Sequence, residues 1–150
     1  MADIALVRQW IFLAEDDLRV AQHLEQTLRP TPFELICFHC QQAAEKYLKS
    51  CLEFHDEIPP KTHDLIELNN RCKKYSAAFG DLAEACQALT AYGVQPRYTY
   101  GMELEYGDTL KALQCAEKVK MFLQKEAPEL FKNDPLKELP PRSSVDGTYP

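Results

Sequence analysis

Apolar residues recur at steps of three and four along five stretches of this chain. The stretches cover residues 3–28, residues 33–54, a segment that begins after Thr62, residues 79–92 and a segment from Asp108 to residue 126. Steps of three and four place apolar side chains on one face of a helix. Alternation of the kind that predicts a strand is absent from the sequence. The pattern therefore predicts an all-α fold, an antiparallel up-and-down bundle of about five helices.

Polar residues supply predicted helix starts and a predicted solvent face. Thr62 is the predicted N-cap of the third helix, because its hydroxyl can accept a bond from an orphan backbone N–H. Asp64 then falls in the first turn, where the helix dipole favours a negative charge. Asp108 is the predicted N-cap of the fifth helix. The second helix carries a polar set opposite its apolar stripe, predicted to face solvent: Gln42, Lys46, Lys49 and Glu53.

Two segments break the helical pattern. Residues 93–107 contain glycines, a proline and three tyrosines, which indicates a loop that is longer than most connections. From residue 127 onward, prolines are frequent and apolar residues are few. Such a segment can bury little surface. We expect a helical bundle over residues 1–126 and an extended or disordered tail over residues 127–150.

Length and charge restrict the class of protein. A chain of 150 residues is expected to form one domain. The net charge of −6 argues against broad electrostatic binding to nucleic acid, but it leaves room for a local basic pocket. The sequence contains neither an apolar run of about 18 residues nor an N-terminal signal pattern. We therefore expect no membrane association, a cytoplasmic location and six free cysteines.

The segment Cys37-Phe38-His39-Cys40 has the spacing of a metal or redox motif. A structural zinc site usually needs two such pairs, and the sequence has only this one. The other cysteines occur singly on the apolar stripes of the predicted helices. We expect small buried cysteines, and neither a metal nor a cofactor.

His63 and Asp64 could form a catalytic pair. Adjacent residues on a helix do not face each other, however. A capped helix start with a polar first turn explains the two residues more simply.

The remaining candidate site combines polar residues of the second helix with Pro96-Arg97-Tyr98. The helix residues are Gln41, Gln42, Glu45, Lys46 and Lys49. One interpretation is a solvated helix face, with Arg97 paired to a carboxylate such as Glu45 or Asp64. The other is a ligand site, because an arginine beside aromatic rings suits phosphate and base recognition.

Three ordered segments resemble the HEPN domain family: QQAAEKYLK at residues 41–49, THDL at residues 62–65 and PRY at residues 96–98. The resemblance extends over about residues 5–123 and implies an up-and-down helical bundle. Many members resemble metal-independent ribonucleases, in which a catalytic histidine follows an arginine by four to six residues. Other members look like nucleotide-binding or accessory modules, which often partner a small nucleotidyltransferase.

Arg97 matches the arginine of that motif, but the histidine is missing. Met102, Glu103 and Leu104 occupy the expected positions, and no histidine follows His63. The resemblance therefore implies a non-catalytic module, in a system similar to a toxin–antitoxin pair, that binds a nucleotide or RNA or docks to a nucleotidyltransferase. The expected ligand-binding residues are Gln42, Glu45, Lys46, Lys49, His63, Asp64, Arg97 and Tyr98.

Two alternatives remain open: a divergent ribonuclease toxin, and a purely structural oligomerisation bundle. We also expect a homodimer, because Trp10, Phe12 and Phe38 lie near the apolar stripes and could form a self-contact.

Overall fold

The computed structural model describes residues 2–93 and 103–132 of the chain. This part of the chain forms five α-helices and no strand. The fold is the predicted all-α antiparallel bundle. Its helices are α1 (Ile4–Thr27), α2 (Phe33–Phe54), α3 (Leu65–Cys72), α4 (Ala83–Thr90) and α5 (Tyr106–Glu126).

Helix α2 lies at the centre of the bundle and packs against α1, α3, α4 and α5. Ile36, Leu48 and Leu52 on this helix are fully buried. The cysteines at positions 37, 40 and 51 are also part of the core, and all six cysteines of the chain are free thiols. Because neighbours surround α2 on several sides, polar residues along it are drawn into the interior together with the apolar ones.

The N-cap of the third helix lies two residues later than predicted. Asp64, not Thr62, is the N-cap of α3, and its Oδ1 accepts hydrogen bonds from the backbone N–H groups of Ile66 (2.9 Å) and Glu67 (3.4 Å). The Thr62 hydroxyl instead accepts a bond from the Asp64 N–H at 3.1 Å. A carboxylate satisfies the orphan N–H groups and also interacts favourably with the helix dipole, which explains the later start.

The fifth helix starts earlier than predicted. Helix α5 begins at Tyr106 after the N-cap Glu105, so Asp108 lies in the first turn. The Asp108 carboxylate accepts a bond from the Glu105 backbone N–H at 2.8 Å, which is the backward half of a capping box. Asp108 therefore stabilises the helix start from inside the helix.

The fourth predicted helix divides into two parts. A 3-10 turn over Ala77–Leu82, capped by the Ser76 hydroxyl, leads into α4. Phe79 in this turn is buried. Helix α4 then ends at Thr90, two residues before the predicted end at Tyr92.

The packed chain continues beyond α5. A 3-10 turn over Pro128–Phe131 places Leu130 in the core and sets the Phe131 ring 6.4 Å from the Tyr47 ring, between centroids. The first residues of the predicted tail are therefore helical and packed. The expectation for residues 133–150 lies outside the described residues.

Three apolar residues that stand at helical spacing in or at the end of the predicted stretches, and that the pattern therefore predicts inside, are exposed: Leu28, Tyr75 and Leu110. Leu28 and Tyr75 lie beyond the last residues of α1 and α3, where helical periodicity no longer applies. Helix α5 turns Thr109, Ala112 and Leu113 inward, so Leu110 is rotated towards solvent.

Candidate functional site

Three polar residues of α2 are buried in one row. Gln41, Glu45 and Lys49 follow each other at four-residue steps, which places them on one side of the helix. Glu45 and Lys49 form the expected i,i+4 pair, with 3.1 Å between Oε2 and Nζ. The prediction that Lys49 faces solvent is wrong, because its side chain is only 9% exposed and its ammonium lies 5.6 Å from the centroid of the Trp10 ring.

Glu45 is the centre of this row. Its Oε1 accepts hydrogen bonds from His63 Nδ1 at 2.7 Å and from Gln41 Nε2 at 3.4 Å, while Oε2 accepts from Lys49. A buried carboxylate is costly unless hydrogen bonds and a counter-charge compensate it. Three donors compensate Glu45, so the carboxylate is held in one position.

His63 is held by this carboxylate but remains accessible. Its side chain is 70% exposed, while that of Glu45 is 5% exposed. A carboxylate with a lysine as its partner accepts hydrogen bonds and does not donate them, so His63 Nδ1 must carry the proton. In the neutral ring, Nε2 of His63 therefore keeps its lone pair. The Glu45 carboxylate thus sets both the tautomer and the orientation of the imidazole.

Asp64 does not take part in this pair. Its carboxylate caps α3, as expected for a capped helix start. The partner of His63 is Glu45, 18 positions earlier in the chain, and only the fold brings them together.

Gln41 contacts both His63 and Gly93. Gln41 Nε2 donates to the His63 carbonyl at 3.0 Å, and Gln41 Oε1 accepts from Gln42 Nε2 at 2.7 Å. Gly93 lies directly against Gln41: a Cβ at position 93 would be 3.0 Å from Gln41 Nε2 and 3.5 Å from His63 Cβ. Gly93 precedes Arg97 by four positions in the sequence. A larger residue at position 93 would push into the Gln41 amide.

A second polar cluster lies between α1 and α2. Asp17 binds the Lys46 ammonium through Oδ2 and His39 Nδ1 through Oδ1, the latter at 2.9 Å. Burial raises the pKa of Asp17, but the hydrogen bonds from His39 and Lys46 outweigh it and hold that pKa below its ordinary value. Lys46 is thus partnered as well, and it does not belong to the Glu45 cluster by direct contact.

The structure unites some of the predicted site residues and separates others. Glu45 is in direct contact with both Lys49 and His63. Gln42 joins this group through Gln41. Lys46 belongs to the Asp17 cluster, and Asp64 belongs to the cap of α3. Arg97 and Tyr98 lie outside the described residues. Sequence reasoning missed Trp10, Asp17 and His39 as partners, because nothing local in the sequence marks contacts between α1 and α2.

The Cys37-Phe38-His39-Cys40 segment is an ordinary turn of α2. The pKa of the Cys37 thiol is raised to about 11, mainly by burial. Burial also raises the pKa of the Cys40 thiol. Both thiols therefore remain protonated at neutral pH and serve as small core residues. Within residues 2–93 and 103–132, no group of three or more His, Cys, Asp or Glu side chains could hold a metal ion.

Comparison with known proteins agrees with this architecture. The family model of the HEPN domain matches residues 7–126, so the chain belongs to the HEPN family. The crystal structure of TT1696 from Thermus thermophilus is similar, with a TM-score of 0.63 and 24% sequence identity, over 79% of this chain and 96% of that chain. The crystal structure of ST0689, an archaeal HEPN homologue, has a TM-score of 0.61 and 24% identity, over 80% and 96% of the two chains.

These similarities to solved structures show the fold. The search of curated proteins finds no match. Among the described helices, none combines the length and the apolar character that crossing a membrane requires.

Proposed function

We propose that this chain is a non-catalytic HEPN module that binds the phosphate of a nucleotide or of RNA beside His63. The observation that carries the proposal is the contact between His63 and the buried Glu45. It holds an accessible imidazole in one orientation, on the same carboxylate as Lys49 and close to Gly93, which precedes Arg97 by four positions. An oriented imidazole offers a hydrogen bond to a phosphate oxygen whenever Nε2 is protonated.

The charges of the cluster indicate where the attraction for an anion arises. Glu45 partners Lys49, and Asp17 partners Lys46, so these two lysines bring little uncompensated positive charge. Arg97 would supply the remainder. The carboxylates considered as structural partners for Arg97 have other roles, since Glu45 accepts three bonds and Asp64 caps α3. This supports a ligand-binding role for Arg97, with Tyr98 as a neighbouring stacking surface.

The proposal is tested by calorimetric titration of the purified protein with the ribonucleoside monophosphates and a short RNA. We expect Arg97→Ala to weaken binding by about 1.5–3 kcal/mol, the range for a hydrogen bond to a charged group, with an unchanged melting temperature. Arg19→Ala is the matched control, because Arg19 is an exposed arginine on α1 that forms an exposed ion pair with Asp16. The proposal would be refuted if Arg97→Ala lowered the melting temperature while the parent protein bound none of these ligands. Arg97 would then be a structural residue.

The ribonuclease alternative has one observation in its favour. His63 is oriented by a carboxylate, as the histidine base of a Ser-His-Asp triad is, although it does not follow Arg97 in the sequence. The two described positions where the histidine was expected hold Glu103 and Leu104. We expect no RNA cleavage by the purified protein. Cleavage that both His63→Ala and Arg97→Ala abolish would establish the alternative instead.

The proposed module acts in the cytoplasm as a homodimer, docked to a small nucleotidyltransferase in a system similar to a toxin–antitoxin pair. Of the three aromatic residues expected at a self-contact, Phe12 and Phe38 are partly exposed and support it, whereas Trp10 packs against the Lys49 ammonium. Light scattering should give a dimer mass, and affinity purification from the native host should recover the nucleotidyltransferase. A monomer with neither partner nor ligand would contradict this assembly, and a dimer with neither would favour the purely structural bundle.

A further inference from the structure

An apolar groove runs between α1 and the connection from α2 to α3. Its volume is about 380 Å³. One wall consists of four α1 residues, Gln9 and three apolar residues at helical spacing; the other consists of the connection, and α2 supplies the floor. The lining includes Leu6, Trp10, Leu13, Lys49, Ile58 and Pro59.

The described part of the chain leaves this groove open. Leu6 and Leu13 are exposed although they belong to a helix that packs on the core, and the Ile58 side chain is 87% exposed. The next two residues, Pro59 and Pro60, also line the groove, and their rings restrict the backbone of that wall. Apolar side chains that converge on a concave surface are typical of a ligand site.

The groove adjoins the His63 site through Lys49. Lys49 lines the groove and places its ammonium 5.6 Å from the centroid of the Trp10 ring. The same ammonium binds Glu45 at 3.1 Å, and Glu45 holds His63 at 2.7 Å. The Glu45–Lys49 pair thus links an apolar end beside Trp10 to a polar end beside His63.

We infer that this groove holds the base of the nucleotide whose phosphate lies at His63, an inference that rests on the function proposed above. The volume falls within the range of about 300–1,000 Å³ that is usual for small-molecule sites, whereas a partner helix is about 10–12 Å wide and needs a longer groove. Glu45 compensates Lys49, and Lys61 and Glu53 offset each other in the lining, so the groove is close to neutral, which suits an uncharged base. A flat aromatic ring matches the apolar walls, and the phosphate matches the polar end.

The chain has a single tryptophan, and it lies in the groove, so its fluorescence reports directly on occupancy. The protein is titrated with the ribonucleoside monophosphates, with ribose 5-phosphate and with inorganic phosphate, and binding is measured in parallel by calorimetry. Excitation at the red edge of tryptophan absorption limits absorption by the nucleotides. We expect at least one nucleotide to change Trp10 emission on binding, while ribose 5-phosphate binds more weakly and leaves the emission unchanged.

A pair of matched variants tests the groove independently. Leu13→Gln removes apolar surface from the groove wall, and Leu110→Gln does so on α5, where Leu110 has a similar exposure (40%, against 36% for Leu13). We expect Leu13→Gln to weaken nucleotide binding about fivefold, equivalent to about 1 kcal/mol, and to leave the binding of inorganic phosphate unchanged. We expect Leu110→Gln to bind as the parent does, and circular dichroism checks that both variants fold.

The outcomes separate the two proposals. If nucleotides bind no better than ribose 5-phosphate, or bind without changing Trp10 emission and without an effect of Leu13→Gln, the groove is not the base site although the function proposed above stands. If none of the probes binds, both proposals fail. If Trp10 emission changes with protein concentration alone, and added nucleotide does not reverse that change, a second copy of the chain occupies the groove and the inference is overturned.

Discussion

Replacing Glu45 by glutamine leaves the Lys49 ammonium without its counter-charge in a place that water barely reaches. In the parent protein the two groups are 3.1 Å apart, with side chains that are 9% (Lys49) and 5% (Glu45) exposed. Removal of one partner of a buried ion pair typically costs about 3–5 kcal/mol, because the remaining charge stays desolvated. The Trp10 ring beside Lys49 offsets a part of this cost, since cation–π contacts contribute about 0.5–2 kcal/mol. We therefore expect Glu45→Gln to lower the free energy of unfolding by about 3 kcal/mol.

Urea denaturation followed by far-UV circular dichroism measures this change. A loss of about 3 kcal/mol should lower the melting temperature by roughly 6–12 °C in a chain of this size. Glu67→Gln serves as the control, because Glu67 is an exposed glutamate that forms an i,i+4 pair with Arg71 at 3.5 Å. Exposed pairs of this kind contribute at most about 1 kcal/mol, so the control should unfold nearly as the parent does.

A second substitution distinguishes the buried charge from a general packing defect. Adding Lys49→Met to Glu45→Gln removes the uncompensated ammonium while keeping a side chain of similar length. We expect the double variant to recover most of the lost stability, because apolar replacement of a buried ion pair is often neutral or stabilising. If Glu45→Gln alone costs less than about 1 kcal/mol, or if Lys49→Met brings no recovery, the Glu45–Lys49 pair is not the buried, mutually dependent pair described here.

Two further predictions concern single carboxylates. Asp64→Ala should lower the free energy of unfolding in urea by about 1 kcal/mol, because the backbone N–H groups of Ile66 and Glu67 lose their acceptor. A change below about 0.3 kcal/mol would show that this cap is not important for stability. Asp17→Asn should destabilise the protein at neutral pH. Because the pKa of Asp17 is lower in the folded state, its contribution is present above the unfolded-state pKa of about 3.9 and is lost as the pH falls through the folded-state pKa. The stability difference between the parent and Asp17→Asn should therefore shrink with acid, and a constant difference between neutral and acidic pH would contradict this assignment.

The sequence alone determined the fold class and most of the helix positions. Helix α2 runs from Phe33 to Phe54, as predicted, because an apolar repeat marks its face and prolines stand on both sides of it. Helix ends within folded segments were less predictable. Asp64 and Thr62 are both good caps, and the structure uses Asp64, whose carboxylate satisfies two backbone N–H groups and interacts favourably with the helix dipole. The segments that resemble the HEPN family also led to a family that the comparison confirms.

The candidate site depended on the tertiary structure. Gln41, Glu45 and Lys49 have the spacing of a solvated helix face, and only the packing of α1 and of the α2–α3 connection over α2 turns that face into a buried row. His63 meets Glu45 across 18 positions, and Asp17 meets Lys46 across 29. Helical periodicity specifies which side chains share a face of one helix, but it contains no information on which neighbouring segment covers that face. For this reason the residue types of the site could be predicted from the sequence, whereas their partners could not.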